Sequence, residues 1–291
     1  MSRLYRGRIA PAEASVPAAM QPTSALLELE FAQLSDRGRV RELNEDYLGH
    51  TAPDTAARAR SHGWLFAVAD GVGGHQDGEV ASRLTVGTLL AGFEKAVAGE
   101  PHAPLLQRLV QAANEIVHDA GLASGAAGRS MATTVVACAL RFDRATIAHV
   151  GDSRCYLIRR GHARALTRDH TLANEQFRIG IISAAQAAEV SSRHMLTRSL
   201  GSELFISADV SEHRVIPGDV LLLCSDGLHG AVSAADLAEA AGADADLHRA
   251  AERLVKLAND RDGSDNVSLQ LIRVRSVERI GMYRGRPYKL P

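Results

Sequence analysis

The stretch Leu65-Phe66-Ala67-Val68-Ala69-Asp70-Gly71-Val72-Gly73-Gly74-His75 decides how the rest of the chain is read. The run from Trp64 to Ala69 is short, continuous and apolar, with Gly63 before it and glycines after it, and reads as a buried strand. A buried strand that ends in Asp70 puts a carboxylate at the edge of a core. There it must be paired, hydrogen-bonded or bound to a cation. Gly71, Gly73 and Gly74 let the backbone turn sharply and come close to a ligand. A plain Asp-Gly turn accounts for the same letters.

Three further stretches repeat the pattern. Val220-Leu221-Leu222-Leu223-Cys224-Ser225-Asp226-Gly227 is again an apolar strand running into Asp-Gly. Ala148-His149-Val150-Gly151-Asp152-Ser153-Arg154 carries a third acid, and Gly263-Ser264-Asp265-Asn266-Val267-Ser268 a fourth, just before a strand-like Val267 to Val274. Acids at strand ends far apart in sequence make sense if they converge on one place. Magnesium and manganese are hard cations that take oxygen ligands and retain water.

The bulk composition narrows the class. The chain has 291 residues, 46% of them apolar, enough for a sizeable core in one large domain or two small ones. Its 33 basic and 34 acidic side chains nearly cancel, which argues against nucleic acid as a partner. Three cysteines, Cys138, Cys155 and Cys224, make no disulfide framework and suit a reducing compartment. No apolar run is long enough to span a bilayer, and no apolar segment follows Arg3, Arg6 and Arg8 as a secretory signal requires. The expected location is the cytoplasm.

Along the chain, residues 1–26, rich in Ala and Pro, read as a flexible leader. Leu27, Leu29 and Phe31 alternate with other residues as in a half-buried strand. Ser35 to Asp46 and Asp54 to His62 read as loops. Helices are expected from Glu79 to about Val97 and from Leu105 to about Ala120, followed by a flexible link at Ser124 to Gly128. Thr133 to Phe142 and Ala145 to Val150 form a hairpin about Asp143-Arg144, and Cys155 to Arg159 a further strand. Leu204 to Val210 and Asp219 to Cys224 read as strands. Ser183 to Val190, Ser233 to Ala240 and Asp246 to Ala258 read as helices, with Ser233 as an N-cap. Residues 276–291 read as an exposed basic tail. Paired groups of strands and helices fit an α+β layered fold.

Taken in order, the motifs resemble the metal-dependent protein Ser/Thr phosphatases of the PPM, or type 2C, family in their bacterial form. The likeness runs from about Phe31 to about Val274. It rests on Arg41-Glu42-Leu43-Asn44-Glu45-Asp46, Ala69-Asp70-Gly71-Val72-Gly73-Gly74-His75 and Gly78-Glu79-Val80-Ala81-Ser82. It continues through Met131-Ala132-Thr133-Thr134, Val150-Gly151-Asp152-Ser153-Arg154-Cys155-Tyr156 and Leu166-Thr167-Arg168-Asp169-His170. Leu196-Thr197-Arg198-Ser199-Leu200-Gly201, Cys224-Ser225-Asp226-Gly227-Leu228 and Ser264-Asp265-Asn266-Val267 complete it.

The resemblance implies an αββα sandwich, two central antiparallel sheets flanked by helix pairs, over residues 27–275. It also implies a flap at about 171–195 that helps choose substrates. The implied activity is hydrolysis of phosphoserine and phosphothreonine in proteins by a hydroxide bridging two Mn2+ or Mg2+ ions, opposing a cognate bacterial Ser/Thr kinase. Asp70 would bridge both ions, with the Gly71 carbonyl, Asp226 and Asp265 as further ligands. Asp152 would hold a third, weaker ion with Asp226. Glu45 and Asp46 would orient water, and Arg41 would bind the substrate phosphate through its fork of donors. Thr133 and Thr134 would pack in a strand under the site. The general acid stays open between His75, which also reads as packing or capping the next helix, and water on a metal.

One decoy is set aside. Cys138 and Arg144 have the spacing of cysteine-based tyrosine phosphatases, but Cys138 lies in a β-branched run and not in a glycine-rich phosphate loop. Two rivals remain: a catalytically silent phosphoprotein-binding regulator with the same fold, and a subunit of a signalling or secretion assembly.

Overall fold

The computed structural model describes residues 5–7, 26–72, 77–124, 131–242, 246–283 and 286–289. In chain order the first elements are β1 (Tyr5–Gly7), β2 (Glu28–Asp36), β3 (Asp46–Thr51), α1 (Ala56–Ser61), β4 (Trp64–Val72), α2 (Asp77–Glu94) and α3 (His102–Ala123). Next come β5 (Ala132–Thr133), β6 (Val135–Arg141), β7 (Arg144–Val150), β8 (Arg154–Arg159), β9 (His162–Ala165), α4 (Leu172–Arg178) and α5 (Ala184–Glu189). A 3-10 turn at Ser191–His194 leads to β10 (Asp209–Arg214), β11 (Val220–Cys224), α6 (Asp226–His229), α7 (Ala234–Ala240), α8 (Leu247–Arg261) and β12 (Val267–Ser276). The last elements are β13 (Ile280–Tyr283) and β14 (Arg286–Lys289), which pair as a hairpin.

The strands form two antiparallel sheets. One runs β1-β2-β12-β11-β8-β9, the other β10-β7-β6-β4-β3, with β5 paired to the end of β4. Burial explains why β4 and β11 are apolar without a break. In β4, Trp64, Phe66 and Val68 enter the core between the sheets, while Leu65, Ala67 and Ala69 lie under α2 and α3. In β11, Leu221 and Leu223 enter the same middle layer, while Val220, Leu222 and Cys224 lie under α7 and α8. Each strand is buried on both faces, so neither shows the alternation of a strand with one wet face. The layers are helix, sheet, sheet, helix, the expected αββα sandwich.

Local expectations were corrected in places. Asp54 to His62 is not all loop: Thr55 accepts from the Arg58 amide and caps α1, which has no buried residue and so no apolar stripe to announce it. The strand expected at Leu204 to Val210 starts at Asp209 and runs to Arg214, because its register with β7 begins at Asp209 opposite His149. Leu204 is instead held by its carbonyl against Gln111 and Asn114 of α3. After β12 the chain folds back: Glu278 is 8% exposed and pairs with Arg60 at 3.1 Å. His75, Gly73 and Gly74, almost all of the leader and most of the link at Ser124 to Gly128 lie outside the described residues.

Candidate active site

The register of β3 on β4 sets Asp46 directly opposite Asp70. Residues opposite each other in an antiparallel pair project from one face. Asp70 follows Phe66 and Val68 in period two, so both carboxyls stand at one end of the layer between the sheets. Ser225, which follows β11 of the other sheet, donates its hydroxyl to Asp46 Oδ2 at 2.7 Å and accepts from the Ser268 amide at 3.0 Å. That pair of bonds stitches the two sheets together at the site.

Backbone contacts fix the rest. The Asp70 amide donates to Thr134 Oγ1 at 3.1 Å, and the Thr133 hydroxyl donates to the Asp70 carbonyl at 2.7 Å. These two threonines pack under the site as expected. The Glu45 amide donates to Asn266 Oδ1 at 2.8 Å, which ties the Glu45-Asp46 turn to the Asp265-Asn266 loop. The Ser82 hydroxyl of α2 donates to the Glu45 carbonyl at 2.6 Å. Arg41 is half exposed and pairs with Asp265 at 2.8 Å.

The two Asp-Gly pairs are not turns needing left-handed backbone, since neither Gly71 nor Gly227 has positive φ. They are places of close approach. A Cβ at Gly71 would lie 2.3 Å from the Gly78 carbonyl oxygen, and one at Gly227 would lie 2.1 Å from that of Asn266. Glycine at 227 lets the start of α6 press on the Asp265-Asn266 loop, so Asp226 and Asp265 become neighbours.

Burial and mutual repulsion dominate the electrostatics. Burial, opposed by the Ser225 and Ser268 bonds and reinforced by Asp226 and Asp265, pushes the Asp46 carboxyl up to about 7. Burial, then Asp46, Asp226, Asp152 and Asp265, pushes Asp70 well above the usual carboxylate range. Asp152 rises to about 7, through burial and then Asp226 and Asp169. Asp226 goes the other way: burial raises it, but His194, His229 and a hydrogen bond from Asp70 outweigh that. Acids that raise one another in this manner are stabilised together by a cation. Asp46 Oδ1 is buried with no hydrogen-bond partner, an oxygen left to a group the protein itself does not supply. The donor set is all oxygen, which fits Mn2+ or Mg2+.

The five acids Asp46, Asp70, Asp152, Asp226 and Asp265 therefore meet as electrostatic neighbours. A tighter set of ligand-type atoms, within 4.8 Å of one another, occurs at His149, His170 and Asp209. Burial, then His149 and Arg198, pushes His170 down to about 4, so it is neutral. Sequence reasoning assigned no role to Ser225, Ser268 or Asn266, although Ser225 and Asn266 each adjoin a predicted ligand. It also missed His194, whose Nδ1 lies 3.8 Å from Asp226 Oδ2 and which falls just before the Leu196–Gly201 motif. A cavity of about 400 Å3 opens beside Asp152 and Asp226, walled by Phe177, Ala187, Arg193 and His194 of the flap. Cys138 is fully buried in β6 and burial pushes its thiol up to about 12, so it is no nucleophile.

Two stacked antiparallel sheets, helix pairs outside them and carboxylates gathered at one end of the middle layer make an architecture suited to holding divalent cations. Residues 39–269 match the family described as Protein phosphatase 2C, and the chain belongs to that family. It is 36% identical over 256 residues to the serine/threonine phosphatase stp of Listeria innocua, covering 87% of this chain and 96% of that one. Its fold matches the crystal structure of the Mycobacterium tuberculosis serine/threonine phosphatase PstP/Ppp with a TM-score of 0.74 and 32% identity, over 85% of this chain and 99% of that one. A structure of the PstP catalytic domain in complex with two manganese ions matches with a TM-score of 0.71 and 31% identity, over 85% of this chain and 99% of that one.

Proposed function

We propose how this metal-dependent protein Ser/Thr phosphatase divides its work among its residues. Asp70, the Gly71 carbonyl, Asp226 and Asp265 would hold two Mn2+ or Mg2+ ions, and Asp152 with Asp226 a third. Bound there, such ions neutralise the phosphoryl group and lower the pKa of water. Glu45 and Asp46 accept hydrogen bonds from water at the site and orient it. Arg41, reached from solvent and set by its bond to Asp265, grips the phosphate oxygens of the substrate. The sheets exclude water from the inner side of the carboxylates, which strengthens every charge interaction there.

One observation carries the reading: Asp46, Asp70 and Asp152, gathered with Asp226 and Asp265 from distant parts of the chain, are raised above the usual carboxylate range by burial and then by neighbouring acids. Such a cluster disfavours the empty, fully ionised site. The substrates are phosphoserine and phosphothreonine proteins made by an opposing Ser/Thr kinase in the cytoplasm, where three buried free thiols stay reduced. Among the described residues no helix is long and apolar enough to cross a membrane. No observation favours the catalytically silent regulator or the assembly subunit.

The test is phosphate release from a phosphothreonine peptide with manganese and with chelator, for the wild type and Asp226→Asn. Release that requires manganese and collapses in the variant is expected. Release that survives chelator refutes the reading.

A further inference from the structure

His170 stands at the base of the flap and makes a reciprocal pair of bonds with Gly151, the residue before Asp152. Its amide donates to the Gly151 carbonyl at 2.9 Å, and its ring Nδ1 accepts from the Gly151 amide at 3.1 Å. On the other side its carbonyl accepts from the Thr197 amide at 2.8 Å, where the chain leaves the flap. Thr171 and Leu196 form a bridge beside it, so the two ends of the flap meet there. Asp209 collects the flanks: it faces His170 Nε2 at 3.4 Å, Arg168 at 3.6 Å and Arg198 at 3.1 Å. The His170 ring stacks on His149, with centroids 4.8 Å apart and planes 18° from parallel. His149 in turn donates from Nε2 to the Arg168 carbonyl at 2.9 Å.

These contacts decide the tautomer. Nδ1 accepts from an amide, so it carries the lone pair, and the single proton of a neutral ring sits on Nε2 toward the Asp209 carboxylate. The opposite tautomer sets N–H against N–H on one side and a lone pair against a carboxylate on the other. The same logic argues against a metal ion among His149, His170 and Asp209, although their ligand-type atoms are close. A ligating Nε2 would have to give up its proton while Nδ1 remained an acceptor.

We propose that His170 is a positioning residue of the phosphatase: its ring, bonded through Nδ1 to the Gly151 amide and facing Asp209, couples the flap base to the turn that carries Asp152. The proposal rests on the role given above to Asp152. A rigid Gly151 amide keeps that turn, and hence the carboxylate, in one place, and the same residue closes the neck of the flap. The two are thereby held in one arrangement relative to each other.

The experiment compares wild type with His170→Ala and His170→Asn, whose Oδ1 can stand near the position of Nδ1 and accept from Gly151. Two readouts are taken on the full chain. The first is hydrogen exchange of the Gly151 amide in chelator, without substrate. The second is kcat and KM on a phosphothreonine peptide in saturating manganese. His170→Ala should speed the exchange and lower kcat by about tenfold each, with KM within about twofold, and His170→Asn should restore both to within about threefold of wild type. An unchanged His170→Ala, or an Asn variant as impaired as the Ala variant, overturns the proposal. If His170→Ala does not fold, Asp209→Asn serves in its place: faster Gly151 exchange with a lower kcat supports the coupling, and no change overturns it. A wild type that releases no phosphate refutes the phosphatase reading instead, and the exchange readout still decides whether the ring holds the turn.

Discussion

Asp46→Asn isolates the cost of the carboxylate cluster. The substitution removes one charge and keeps the shape, and the new amide oxygen still accepts the Ser225 hydroxyl now bonded to Asp46 Oδ2. Burial and the neighbouring acids raise Asp46 from 3.8 to about 7. At ~1.36 kcal/mol per pKa unit, ionising it in the folded protein costs up to about 4 kcal/mol. Because Asp46 in turn raises Asp70, relief is shared, and about 2 kcal/mol is expected from the single substitution. The sign follows from the direction of the shift. A carboxyl with a raised folded pKa binds its proton more tightly in the native state, so its contribution is present below the unfolded value near 3.8 and is lost as pH rises through about 7. Urea unfolding in chelator should therefore show Asp46→Asn about 2 kcal/mol more stable than wild type at pH 8, with the difference under ~1 kcal/mol at pH 5 and gone below about pH 4. With saturating manganese the order should reverse, since ions that bind the native state stabilise the intact acid set more. A variant no more stable than wild type at pH 8 in chelator, or equally stabilised at both pH values, refutes the electrostatic account.

Three other outcomes are expected. Arg41→Ala should raise KM for a phosphopeptide about tenfold or more while changing unfolding free energy by less than ~1 kcal/mol, because its pair with Asp265 is half exposed; phosphopeptide kinetics and urea melts check this. Gly71→Ala should abolish manganese-dependent release and lower stability by several kcal/mol in urea melts, since its Cβ would lie 2.3 Å from the Gly78 carbonyl oxygen. Cys138→Ala should leave kcat within about twofold in the same release assay and lose only the small packing term of a buried thiol, because that sulfur is fully buried in β6.

The middle of each sheet was legible because burial on both faces leaves an unbroken apolar run, as in Trp64 to Ala69 and Val220 to Cys224. Edge elements were not. β9, His-Ala-Arg-Ala, is mostly exposed and carries no apolar alternation, and α1 has no buried residue at all. In the flap, α4 buries only Ala173, too little to set a helical period.

By itself, the sequence determined which residues could serve: acids at the ends of buried strands, a run of motifs in family order, and a cysteine too deep in a β-branched stretch to act. Local polarity and period carry that information, because a carboxylate beside a core requires a partner wherever the chain goes. Tertiary structure decided the partnerships. The β3–β4 register sets Asp46 opposite Asp70, Ser225 reaches across from the other sheet, and glycine at 227 lets Asp226 meet Asp265. The pairing of His170 with Gly151 and the approach of His194 to Asp226 likewise join residues whose spacing in the chain carries no sign of it. Displaced pKa values depend on these distances and on burial, and both exist only after the two sheets have closed on each other.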